Sequence, residues 1–183
     1  MLMRLYTTLG DQGQTDLLGE RVVKDDPRVD LIGDLDEATS AIGLARASIA
    51  SERVTGLLVD VQRDLYRVMA DLAFVTEVKP ERAVVTEEVV LRIGALTDEL
   101  SGEIELPRQF VLPGETVGSA ALDVARAVIR RSERRAVTLT NAGVVENPQI
   151  VAYLNRLSSL LFIAARFVEA ELGLIPLKAK TTE

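Results

Sequence analysis

SAALDVARAVIRRSERRAVTL, running from Ser119 to Leu139, is the stretch on which the fold turns. At 100° per residue, Leu122, Ala125, Val128, Ile129, Ser132, Ala136 and Leu139 fall on one arc, while Arg126, Arg130, Glu133 and Arg134 line a neighbouring stripe. A helix with one apolar face must bury it against other helices. The same stretch places five arginines within residues 126–135 of an otherwise acidic chain. Guanidiniums this close repel one another unless anions sit between them, and the planar Arg fork suits phosphate oxygens. Two readings stand at this point: a cradle for a polyphosphate, or arginines that are solvated or paired with carboxylates such as Glu133.

Outward from that helix, the chain's 183 residues suffice for one domain with a full core, and no shift in composition divides them. Hydrophobic residues make up 48% and aromatics only 4%, so the core is built of Ala, Leu, Val and Ile, which suits packed helices. The expectation is an all-α bundle. Four more helices are expected, at Val29–Ala50, Arg53–Thr76, Thr86–Leu100 and Gln149–Leu172. Pro80 closes the second, a TEE capping box opens the third at Thr86, and Asn147–Pro148 caps the last. Asp34 and Glu37 read most simply as dipole or capping carboxylates of the first helix, and Gln62 and Asp64 as solvated surface unless a partner subunit covers them. Residues 5–28, with Gly10, Gly13 and Gly19 among Thr, Asp and Gln, have the texture of turns; 174–183 form a short tail. Glycine backbone can approach phosphates closely, and Lys24 adds a cation nearby. The Walker pattern is missing, so an ordinary surface loop fits as well. Phe110, in a Pro- and Gly-bearing link, reads as a plug for the bundle's end.

A net charge of −7 argues against general nucleic-acid binding. There is no Cys and no His, which removes disulfides, thiolate sites and the commonest general base. The N-terminus lacks an apolar signal region, and Arg156 and Arg166 interrupt the most apolar run, so neither secretion nor membrane insertion is expected. A cytoplasmic protein is the default.

Taken together, YTTLGDQGQT, KDDPRV, LDEATSAIG, QRDLYRVMADLA, FVLPGE, ARAVIRRSERR and NPQIVAYLNRLSSLLF stand in an order that resembles the PduO-type ATP:cob(I)alamin adenosyltransferases, over about Tyr6 to Phe167. The arginine motif followed by NRLS is the specific part. The resemblance implies a five-helix bundle assembling as a homotrimer, with active sites between subunits. It implies transfer of the 5′-deoxyadenosyl group of ATP to cob(I)alamin, with Mg²⁺ as the usual divalent cation. By position, Tyr6, Thr7, Gly10, Asp11, Gly13, Gln14 and Thr15 would wrap ATP and Lys24 would reach its phosphates. Arg126 and Arg130 match the family's two key arginines; Arg131, Glu133 and Asn155 match further ATP positions. Asp36 matches the carboxylate that pairs with Arg126 across the subunit boundary. Phe110 matches the aromatic that closes on the lower face of the corrin, and Ser159 falls on the corrin side. A cob(II)alamin reductase or a B12-dependent enzyme would be the expected protein partner.

Cob(I)alamin is itself a strong nucleophile, so the chemistry needs no Ser, Cys or His to attack C5′. The chain departs from the family pattern at Thr8, Leu9, Glu115 and Ser159, where a basic residue, a polar residue, a second glycine and an Asp are usual. The alternative these departures keep open is a nucleotide-binding trimer that senses or carries cobalamin without transfer.

Overall fold

The computed structural model describes residues 8–75 and 78–180. Five helices form the body: α1 (Pro27–Ser48), α2 (Glu52–Ala73), α3 (Glu87–Gly102), α4 (Val117–Asn141) and α5 (Pro148–Glu171). All seven residues on the predicted apolar arc of α4 are buried. They pack on both sides, since α4 lies between α1 and α5; α2 covers the far side of α1, and α3 covers α5. One hydrophobic cluster runs through all five helices, made largely of Leu, Ile, Val and Ala. Helix α5 is long and apolar enough to cross a membrane, but 67% of its apolar window is buried among the other helices. It is a core helix.

The caps account for where the helices begin. Asp26 accepts from the Arg28 N–H at 2.8 Å ahead of Pro27, and Thr116 with Ser119 forms a reciprocal capping box on α4. Asn147 accepts from the Gln149 N–H at 3.0 Å, as the sequence predicts. Its amide also donates to Asp71 Oδ2 at 2.7 Å and to the Val85 carbonyl at 2.9 Å. Asp71 in turn receives Lys79 Nζ and the Val85 N–H, so one buried carboxylate ties the α2–α3 link to the start of α5.

Three expectations need correction. Helix α2 stops at Ala73, well short of Pro80, because Phe74 leaves the helix and Val75 donates to the Leu18 carbonyl. Thr86 caps α3 in position, but its side chain bonds no backbone N–H; Glu87 and Glu88 instead complement the dipole in the first turn. The N-terminal segment is not turns alone. After a short 3₁₀ turn at Thr8–Gly10 it forms an antiparallel hairpin of β1 (Gln14–Leu17) and β2 (Glu20–Val23). Arg21 sews the hairpin to that turn, donating to Gln14 Oε1, Asp16 Oδ1 and the Leu9 carbonyl. The hairpin bend docks on the end of α2, with the Leu18 N–H 3.0 Å from the Ala73 carbonyl.

Candidate active site

The arginines of α4 divide between two faces. Toward α1, Arg131 donates to Asp34 Oδ1 at 3.1 Å and also pairs with Glu37, while Arg135 lies 3.2 Å from Asp34 Oδ2. Asp34 is buried. The capping role expected for Asp34 and Glu37 is therefore replaced by cross-helix pairing, because α1 packs its length along α4 and brings the arginines within reach. Arg131 has its pKa raised; burial opposes the shift, but the neighbouring Asp34 and Glu37 carboxylates outweigh it. Asp64 likewise proves buried, held by Arg92 of α3 and the Tyr153 hydroxyl of α5, and Gln62 donates to the Thr39 carbonyl. Both lie at helix contacts rather than in solvent.

On its other face α4 presents Arg126 and Arg130 to a cavity of about 680 Å³. Phe110, Arg108, Ser158, Ser159, Phe162 and Arg166 also line it. Among the described residues four arginines and a single carboxylate, Asp123, line this space, a charge balance that suits an anionic occupant. Arg126 Nε donates to Asp123 Oδ1 at 3.0 Å. Arg130 is exposed and, among the described residues, meets no carboxylate. Phe110 is 88% exposed, so it does not plug the end of the bundle; it stands as a bare aromatic at the cavity wall. Glu115 reaches the C-terminal tail, where its Oε1 accepts from the Leu177 N–H at 3.0 Å. The Phe110–Leu112 segment also bonds the tail, Leu112 N–H to the Leu177 carbonyl and Ala179 N–H to the Phe110 carbonyl, both at 2.8 Å.

The remaining predicted positions lie elsewhere. Asn155 donates to Glu133 Oε1 at 2.9 Å and accepts from Arg156, which joins two of the predicted ATP positions on the α4–α5 surface. In the N-terminal segment Gly10, Asp11, Gly13, Gln14, Thr15 and Lys24 gather around the base of the hairpin. The Lys24 N–H donates to the Gly13 carbonyl at 2.8 Å, and a side chain at position 10 would meet Lys24 Nζ at 3.2 Å. Gln14 spends its side-chain carbonyl on Arg21. Asp36 is exposed on α1 and meets no cation among the described residues. Tyr6 and Thr7 lie outside the described residues. No group of three or more His, Cys, Asp or Glu that could hold a metal gathers among the described residues.

Residue-by-residue reading passes over the buried ion cluster of Asp123, Arg166 and Glu169. Its signals are there: Asp123 stands three residues before Arg126 and Arg166 three before Glu169, each pair on one helix face.

This frame is a five-helix body with a docked N-terminal hairpin and a cavity whose charge balance suits an anion. The family model for cobalamin adenosyltransferase matches residues 5–168. The chain belongs to that family. It is 40% identical to the corrinoid adenosyltransferase of Bacillus subtilis (strain 168) over 176 residues, covering 94% of this chain and 90% of the relative. It is 34% identical to corrinoid adenosyltransferase PduO of Salmonella typhimurium (strain LT2), covering 92% of this chain and 51% of that longer one. A solved PduO-type ATP:corrinoid adenosyltransferase from Lactobacillus reuteri, a phenylalanine-to-alanine variant complexed with cobalamin and ATP, superposes with a TM-score of 0.88. It is 28% identical, and the match covers 97% of this chain and 100% of that one. An arginine-to-lysine variant of the same enzyme, complexed with ATP, gives 0.86 at 29% identity, covering 96% and 100%.

Proposed function

We propose that the protein transfers the 5′-deoxyadenosyl group of ATP to cob(I)alamin, releasing adenosylcobalamin and triphosphate. The observation that carries this reading is the cavity of about 680 Å³ lined together by Arg126, the exposed Phe110 and Arg130, which meets no carboxylate among the described residues. In the reaction the bond from C5′ to the triphosphate oxygen breaks as the bond from cobalt to C5′ forms, and the electron pair comes from the reduced corrinoid. The chain has to supply position and charge. Arg126 and Arg130 stabilise the negative charge gathering on triphosphate, and they act in a partly shielded cavity where water screens them less. Gly10, Asp11, Gly13, Gln14 and Thr15 of the N-terminal segment, with Tyr6 and Thr7 ahead of them, wrap the nucleotide. Lys24, at the hairpin base, meets its phosphates. Glu133 and Asn155 hold the rest of the nucleotide side, and Arg131, fixed by Asp34 and Glu37, adds the Nη1 that these carboxylates leave open among the described residues. Phe110 shields the lower corrin face and excludes an axial ligand, with Ser159 on the same side.

Mg²⁺ would have to arrive with the nucleotide, since no group of three or more acidic or imidazole donors gathers among the described residues, and it would add positive charge to that of Arg126 and Arg130. The working form is a homotrimer whose sites lie between subunits, with Asp36 of one protomer meeting Arg126 of the next. It acts in the cytoplasm, with a reductase or a B12-dependent enzyme as its neighbour in use. The test is an anaerobic assay with reduced cobalamin, ATP and Mg²⁺. The adenosylcobalamin spectrum is expected to appear with turnover. Tight ATP binding without that spectrum would instead favour a sensor or cobalamin carrier, the reading that Ser159 and Glu115 keep open.

A further inference from the structure

Among the described residues, the one carboxylate lining the arginine cavity is Asp123, and it does not face the cavity as an isolated charge. Its two oxygens are divided. Oδ1 accepts from Arg126 Nε at 3.0 Å, and Oδ2 accepts from Arg166 Nη2 at 2.9 Å. Arg166 is itself fixed from three sides. Its Nη2 donates to Glu169 Oε1 at 2.8 Å, and its Nε lies 2.7 Å from Glu169 Oε2 as an ion pair without hydrogen-bond alignment. Its guanidinium also sits 5.2 Å from the centre of the Phe162 ring. Side-chain exposure falls along this chain of contacts from 32% at Arg126 to 6% at Asp123, 2% at Arg166 and 0% at Glu169. A partly exposed arginine at the cavity is thus tied through one carboxylate to a buried one inside the bundle.

We infer that Asp123 is a positioning residue for Arg126, acting from the anchor made by Arg166 and Glu169. This inference rests on the adenosyltransfer reading above and deepens it. Binding through Nε fixes the plane of the Arg126 guanidinium while leaving both Nη groups for other acceptors, a nucleotide phosphate or Asp36 of a neighbouring protomer. An arginine without such a tether loses several rotamers on binding, and that entropy opposes every turnover. The charges also balance: two carboxylates and two guanidiniums make a neutral cluster, so the burial of Arg166 and Glu169 is compensated and Arg126 keeps its hydrogen-bonding capacity.

The balance suggests the variant. Asp123→Asn keeps the shape and leaves Arg166 paired with Glu169, so the buried charges still match. The experiment is a double-mutant cycle of Asp123→Asn and Arg126→Ala in the full-length protein. It reads kcat and KM for ATP in the anaerobic assay, the ATP dissociation constant by calorimetry, and Tm. The expected result is a loss of about tenfold in kcat/KM for Asp123→Asn, the scale of one charged hydrogen bond. No further loss is expected when it is added to Arg126→Ala, because a tether has nothing to hold once the arginine is gone. Losses that multiply in the double variant, or full kcat/KM in Asp123→Asn, would overturn the inference. A purely structural carboxylate would lower Tm and multiply with Arg126→Ala. If the wild type binds ATP without turnover, the adenosyltransfer reading fails, and the same cycle is scored on ATP affinity with the same two overturning results. Should Asp123→Asn fail to fold, Arg166→Lys takes its place; it keeps the cation but loses the fork, and the same coupling to Arg126→Ala is required.

Discussion

Arg130 and Arg131 are adjacent in sequence, yet a 100° turn of the helix gives them different work. Arg131 is committed to Asp34 and Glu37 of α1, whereas Arg130 faces the cavity and meets no carboxylate among the described residues. Arg130→Ala should therefore leave the fold intact and weaken ATP binding by about 2 kcal/mol, the scale of a charged hydrogen-bonding partner. Titration calorimetry checks this, and unchanged affinity would remove Arg130 from the nucleotide site. Tyr153 makes the opposite case, a polar group sunk in the core. Its hydroxyl lies 3.4 Å from Asp64 Oδ2, and burial, then the Asp64 charge, push its pKa well above the usual tyrosine value. The folded state holds that proton more tightly than the unfolded chain. Its contribution is complete below the ordinary tyrosine pKa of about 10 and is lost as pH rises above it. Tyr153→Phe should cost about 1 kcal/mol at neutral pH and flatten the fall in stability above pH about 10. Urea unfolding at both pH values reads the two effects, and an unchanged alkaline slope would count against the assignment.

At the scale of elements, the helices were legible because each carries apolar residues at helical spacing, and Val54 to Leu72 on α2 is the clearest stripe. The arginine face was legible too, but which arginines stay available was not. That depends on Asp34 and Glu37, whose meeting with Arg131 needs α1 and α4 to be packed first. The hairpin was missed for a related reason. Its strands are four residues long and bury one residue, Val22, so no apolar alternation marks them. What holds the hairpin is its seat on α2. Gly19 sits at φ 117°, and a Cβ there would come within 2.5 Å of Val75 Cγ2. Gly19→Ala carries both backbone strain and a clash, together roughly 1–3 kcal/mol or more, confined to the hairpin. Amides of residues 14–23 should then exchange faster and ATP affinity should fall, with the Tm of the helical body nearly unchanged. Unaltered ATP affinity with an undocked hairpin would separate this segment from the nucleotide.

At the scale of the molecule, the open question is what covers the outer surfaces of α1 and α4. Asp36 is exposed on α1, as is Leu44 at 57%, and Val117 and Val124 on α4 are exposed at 67% and 56%. Single exposed apolar residues are ordinary, but here they share α1 and α4 with Arg126 and with a carboxylate that meets no cation among the described residues. A neighbouring protomer would cover them and bring Asp36 to the Nη groups that Asp123 leaves open. An exposed ion pair contributes at most about 1 kcal/mol, too little to hold two chains together. In a cyclic trimer the pair occurs three times, so its loss removes about 3 kcal/mol, roughly two decades in the association constant. Asp36→Asn should accordingly shift the trimer–monomer equilibrium to higher protein concentration by sedimentation velocity, and turnover should fall with trimer content. ATP affinity per assembled trimer should fall less, since the arginine is still tethered within its own chain. If Asp36→Asn sediments as wild type down to the lowest concentrations and turns over at full rate, Arg126 has no partner at position 36. The subunit boundary must then be sought on another face.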